Sequence, residues 1–201
     1  MTETAIPGRR ERKKQATRRA IRSAALKLAL ERGVDHFTVE DISEAADVAP
    51  RTFFNYFPSR EDALVGEDAE TTAELREAID ARPESESPLQ TLRAVLRERS
   101  LEYADQSRRE EALARQRLVQ ENPSLLPRQL AKFAAVERTL TEAMSRRTGA
   151  DPDQNLRPAL LAALGVTVMR LAMQRWSVDA TRSPAELIDE AFDLIALEET
   201  R

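Results

Sequence analysis

The chain has no cysteine, one histidine, one tryptophan and five glycines in 201 residues. Without thiols there is no disulfide, no thiolate metal site and no cysteine nucleophile, which fits a reducing, cytoplasmic setting. The single histidine, His36, falls at a helix–helix corner, where a structural role outweighs a catalytic or metal-binding one. No apolar run of about 18 residues occurs, so no segment reads as a membrane span. The N-terminus is basic and lacks an apolar stretch, so it does not read as a secretory signal. Acidic residues are abundant, yet no pair stands out from ordinary surface charge. With no catalytic constellation and no cofactor fingerprint, the expectation is a protein that is not an enzyme and has no cofactor or metal. Scarce glycine, with Leu, Ala, Arg and Glu dominant, points to an all-α chain.

Charge is unevenly distributed. The net charge is −4, but residues 1–32 hold ten Lys/Arg against three Glu. A basic head on an acidic body is the asymmetry that phosphate binding needs. Residues 1–16 are polar and basic and read as a flexible arm. Its run R-R-E-R-K-K reads either as a solvated tail or as a transient phosphate or minor-groove contact.

A helical period then begins. Ile21, Ala24, Ala25, Leu28 and Ala29 form one apolar stripe, and Gly33 supplies a stop. Thr38 with Asp41 reads as a capping pair opening a second helix faced by Val39, Ile42, Ala45 and Ala46. After Asp47-Val48-Ala49, Pro50 opens a third helix expected to end near Phe57-Pro58. Ser59 with Asp62 caps a fourth, expected to run toward Ala81. Beyond the loop Pro83–Pro88, five more helical segments follow, anchored by residues such as Leu92, Leu118, Leu140, Leu164 and Ile188. About nine helices are expected, in three parts: a basic arm at 1–16, a head at 17–64 and a larger body at 65–201.

Aromatics make up only 4% of the chain, yet four of the nine residues in Ala49–Phe57 are aromatic. Three short helices with a tight turn between the second and third describe a helix-turn-helix. In that arrangement the third helix meets the major groove, so Arg51, Thr52 and Asn55 face DNA while Phe53 and Phe57, four apart, face inward. Phe54 and Tyr56 are left to touch sugars, thymine methyls or a phosphate.

The segment T-V-E-D-I-S-E-A-A-D-V-A-P-R-T-F-F-N-Y-F-P-S-R-E-D-A-L, residues 38–64, resembles the DNA-binding signature of TetR-family regulators. The T-F-F-x-Y-F variant and the late Trp176-x-x-Asp179 are similar to actinobacterial members, including the mycofactocin type. The resemblance covers roughly residues 17–64. It implies a phosphate contact for Thr38, a base or phosphate contact for Arg51, and backbone clamps for Thr52 and Tyr56. It gives Phe54 the aromatic groove position, Asn55 the variable base-facing one, and Arg60 the phosphate-binding place usually held by lysine. Two residues depart from the pattern: Asp47 replaces a glycine in the turn, and Ala49 replaces a serine that would cap the third helix.

The resemblance further implies a C-terminal effector-binding and dimerisation body and a homodimer built from Pro158–Trp176 and Pro184–Leu197. Such a dimer implies a near-palindromic double-stranded operator. A small molecule would release it, with repression the default and activation the other possibility. Pocket candidates are Leu101, Arg115, Phe133, Met169, Met173 and Trp176; the alternative is core or dimer interface for Met169, Met173 and Trp176, and a solvated face for Arg115. An amphipathic or acyl-type anion suits a body that mixes apolar residues with arginines. The rival reading is a non-specific architectural DNA-binding protein, which needs neither cavity nor palindrome.

Overall fold

In a computed structural model of the chain, which describes residues 8–65 and 69–198, the regular elements are all helical. The chain divides into two compact units, Met1–Gly66 and Glu67–Arg201. The first holds α1 (Arg9–Arg32), α2 (Val39–Ala45), α3 (Pro50–Phe54) and α4 (Arg60–Val65). The second holds α5 (Ala69–Asp80), α6 (Pro88–Ser100), α7 (Gln106–Glu121), α8 (Leu126–Thr148), α9 (Arg157–Val178) and α10 (Pro184–Glu198). Short 3-10 turns at Leu101–Ala104 and Pro123–Leu125 precede α7 and α8.

Three differences from the expected layout have physical causes. The helix expected from Thr17 begins at Arg9, so residues 9–16 are helical rather than a flexible arm, while residues 1–7 lie outside the described part. Arg, Lys, Gln and Ala are good helix formers, and a helix nucleated by the stripe from Ile21 extends outward at little cost. The single helix expected from Ser59 toward Ala81 corresponds to α4 and α5, with residues 66–68 outside the described part. The third helix closes at Phe54, earlier than Phe57, although Phe57 N–H still reaches Phe53 O at 2.9 Å. Beyond Phe54 the bonds tighten to the i→i−3 kind, Asn55 N–H to Thr52 O at 3.1 Å and Tyr56 N–H to Phe53 O at 2.9 Å, and Pro58 bars any continuation past Phe57.

The first unit buries Ile21, Ala25 and Leu28 of α1 with Phe37, Ile42, Phe53, Phe57 and Leu64. The second has its own core, including Ile79, Leu92, Val95, Leu140, Met144, Ala162 and Ile188. Gly165 sits in its tightest place. A Cβ there would come within 3.1 Å of both Leu92 methyls and 3.3 Å of Leu140 Cδ1, so the missing side chain lets α6 and α8 approach α9 closely. The α5–α6 loop is fastened by Arg147, which donates to the carbonyls of Arg82, Pro83 and Glu86.

Candidate nucleic-acid interface

The head's recognition surface is built from local hydrogen bonds outward. Thr38 opens α2 with a complete capping box: its Oγ1 accepts from Asp41 N–H at 3.1 Å, and Asp41 Oδ2 accepts from Thr38 N–H at 2.7 Å. These bonds hold the Asp41 carboxyl below its ordinary range, the Thr38 backbone N–H being the largest cause and Arg32 a smaller one. At the turn after α2, Asp47 has φ 53°, the left-handed conformation that the missing glycine would take freely. Ala49 gives α3 no side-chain cap, and Pro50 fills its first position.

The aromatics of this stretch divide as their spacing requires. Phe53 and Phe57 are buried, with ring centroids 6.0 Å apart, whereas Phe54 is 57% exposed. Arg51 and Asn55 are exposed on the same short helix and its closing turn, and Thr52 is half-buried. Tyr56 is half-buried, with the Arg18 guanidinium 5.5 Å from its ring centre. Arg18 is a neighbour that local spacing does not reveal, because α1 and the end of α3 meet only in the fold. Thr38, Arg51, Phe54 and Asn55 are thus solvent-facing, held by an aromatic anchor at 53 and 57 and a capped helix beside it.

Arg60 is placed otherwise. Its guanidinium turns back onto the α1–α2 corner, donating to Phe37 O at 2.8 Å and to Glu61 Oε1 at 2.7 Å. It lies 3.5 Å from Asp35 and 5.5 Å over the Phe37 ring.

In the second unit the six pocket candidates occupy different environments. Trp176 is 1% exposed, with Tyr103 at 5.4 Å and the Arg109 guanidinium at 6.0 Å from its ring. Phe133 and Met169 pack against the core, Met173 and Arg115 are half-buried, and Leu101 is 50% exposed. No local pattern marks Arg109, because it meets Trp176 and the Ala180 carbonyl only through tertiary packing. A separate open groove of about 440 Å³ is lined by Leu89, Asn155, Leu156, Arg157, Leu160, Leu161, Leu164 and Ile195, and none of the six lines it. Among the described residues, no group of three or more His, Cys, Asp or Glu could hold a metal ion. Nor is any described helix long and apolar enough to cross a membrane.

Comparison with known proteins agrees with this geometry. Residues 21–65 match the model of bacterial regulatory proteins of the tetR family, and residues 86–199 match the MftR C-terminal domain. The HTH-type transcriptional regulator TcmR of Streptomyces glaucescens is 34% identical, covering 93% of this chain and 84% of its own. A Mycobacterium tuberculosis protein named as the mycofactocin biosynthesis transcriptional regulator MftR is 26% identical, over 92% of this chain and 91% of its own. Among solved structures, the TetR-family repressor FadR of Thermus thermophilus, in complex with lauroyl-CoA, has a TM-score of 0.53. It is 25% identical, over 89% of this chain and 93% of that one. These matches favour transcriptional regulation over the architectural alternative. With a helix-turn-helix head and a C-terminal domain of the MftR type, the chain belongs to the TetR family of DNA-binding transcriptional regulators.

Proposed function

We propose that this regulator is a cytoplasmic homodimeric repressor that occupies a near-palindromic operator and leaves it when an amphipathic, acyl-type effector binds the C-terminal unit. The observation that carries the DNA half is the division of α3. Phe53 and Phe57 lock it to the head, leaving Arg51, Phe54 and Asn55 free to meet a groove. Asn55 reads a base edge, Thr52 and Tyr56 clamp the backbone, and Thr38 meets a phosphate at the start of α2.

Dimerisation follows from apolar surface on α9 and α10. Leu160, Leu171 and Val178 are 65%, 45% and 85% exposed on α9, and Leu194 is 58% exposed on α10. Leu160, Leu164, Leu171 and Val178 fall at the four-and-three spacing of a helix–helix seam, with Thr167 and Gln174 as its polar members. Two-fold pairing of this seam buries the stripe and presents two heads to two half-sites. The effector is received in the C-terminal unit by the candidates Arg115 of α7, Phe133 of α8 and Met169, Met173 and Trp176 of α9, with Leu101 in the 3-10 turn before α7. Support for an acyl ligand comes from that mixture of apolar side chains and arginine and from the lauroyl-CoA held by the Thermus FadR.

The test is selection of bound duplexes from a random DNA pool, followed by anisotropy titration with and without lauroyl-CoA. A two-fold-symmetric motif whose affinity falls at least tenfold with lauroyl-CoA supports the reading. A pool with no motif sinks the operator. A motif unaffected by lauroyl-CoA or by free fatty acids sinks the effector class.

A further inference from the structure

We propose that Arg60 is a positioning residue for operator binding: it fixes the peptide group that carries Thr38 and does not itself contact a phosphate. The inference rests on the reading of the head as operator-binding.

One peptide plane carries the argument. The Phe37 carbonyl and the Thr38 N–H are opposite ends of the same rigid, planar group. Arg60 Nη1 of α4 donates to the carbonyl end at 2.8 Å, and Asp41 Oδ2 of α2 accepts from the N–H end at 2.7 Å. Asp41 is in turn reached by Arg32 of α1, at 3.3 Å on its other oxygen. Three helices therefore grip a single peptide, and the residue it leads into is the N-cap of α2. The Thr38 hydroxyl, bonded to Asp41 Oδ2 at 2.8 Å, has its direction set by the same grip.

The surroundings of Arg60 suit this task and disfavour the other. Its side chain is only 26% exposed, and its guanidinium carbon lies 5.5 Å from the centre of the Phe37 ring. Asp35 and Glu61 both stand against the guanidinium, at 3.5 and 2.7 Å. These two carboxylates offset its positive charge, so Arg60 offers a phosphate less than an open cation would. Each of its three nitrogens reaches a different partner, Nη1 the Phe37 carbonyl, Nε Glu61 and Nη2 Asp35, and the single nitrogen of a lysine cannot occupy all three places. Because α4 ends the first unit, Arg60 also makes the pose of this helix felt at the operator-facing end of α2.

The experiment measures binding to the duplex selected by the wild-type protein, by anisotropy across roughly 50 to 300 mM salt. The variants are Arg60→Gln, Arg60→Lys, Thr38→Ala and the double variant Arg60→Gln/Thr38→Ala. The expected result is about a tenfold loss for Arg60→Gln with an unchanged slope of log K against log salt. Arg60→Lys keeps the charge and should still lose affinity. Thr38→Ala should cost less in the Arg60→Gln background than in the wild type, because both substitutions loosen the same peptide.

A slope that falls by about 0.9 for each protomer would overturn the proposal, as would full affinity in Arg60→Lys or strict additivity. Hydrogen exchange supplies a readout independent of DNA. In Arg60→Lys and Arg60→Gln, the Thr38 amide should exchange faster while amides of α8 and α9 do not. Unchanged Thr38 exchange in both refutes the grip. If selection with the wild type returns no motif, the operator reading fails while the exchange result still decides the role of Arg60.

Discussion

Replacing Phe53 with alanine tests whether the head is held by the aromatic anchor that also aims its DNA-facing residues. Phe53 is fully buried, 6.0 Å from the Phe57 ring and 5.4 Å, edge-on, from Phe54. Removing a buried phenyl group costs about 3–5 kcal/mol, through lost burial and the cavity left behind. A unit of 66 residues at about 0.05–0.15 kcal/mol per residue holds about 3–10 kcal/mol in total. The variant should therefore remove about a third or more of the stability of the head. Hydrogen exchange with mass spectrometry measures this locally. Peptides from α1 to α3 should lose about two to three and a half powers of ten in protection, since each 1.4 kcal/mol is about tenfold. Peptides from α8 and α9, whose core is separate, serve as the internal reference. Phe53→Leu should recover more than half of the loss, because it refills most of the volume. A loss below tenfold in the α1–α3 peptides would refute the anchor. An equal loss in α8 and α9 would refute two independent cores.

Further outcomes follow from the same structure. Ala49→Ser should stabilise the head by about 1 kcal/mol by capping α3, and Asp47→Gly by about 0.5–1 kcal/mol by relieving its positive φ, both read as a higher head melting temperature. Leu160→Glu with Leu171→Glu should yield monomers in sedimentation and bind the selected duplex at least 100-fold more weakly, since charge in the seam opposes its burial. Acid should destabilise the protein. The carboxyls of Asp41 and Glu186 lie below their ordinary range because cap N–H groups favour the ionised form; that of Asp189 does so because Arg93 and Arg97 outweigh the opposing effect of burial. Folded values below unfolded ones mean that this stability is fully present above about pH 5 and is lost as pH falls through and below the ordinary carboxylate range of about 4. Urea midpoints that stay flat from pH 6 to 3 would contradict the sign.

The sequence by itself determined the local chemistry. Thr38 and Asp41, Ser59 and Asp62, and Ser183 and Glu186 are each three residues apart, and each pair forms its cap. Phe53 and Phe57, four apart, share the buried face of the recognition segment. Gly149, the glycine that closes α8, has φ 65°, as a left-handed helix end requires. These features are legible because their partners lie within one helical turn. The start of α1 is not legible for a related reason: residues 9–16 have no apolar face to announce a helix that propagates from its neighbour.

Tertiary structure decided the rest. Arg60 occupies a position whose pattern suggests a phosphate ligand, yet it closes on Phe37, Asp35 and Glu61. Arg18 stands against Tyr56, and Arg109 and Tyr103 against Trp176, though no spacing links them. A short capping side chain reaches only its own turn, so its partner is written beside it. A long arginine sweeps several ångströms of space, and its partner is whichever carbonyl, carboxylate or ring the packed helices bring within that reach.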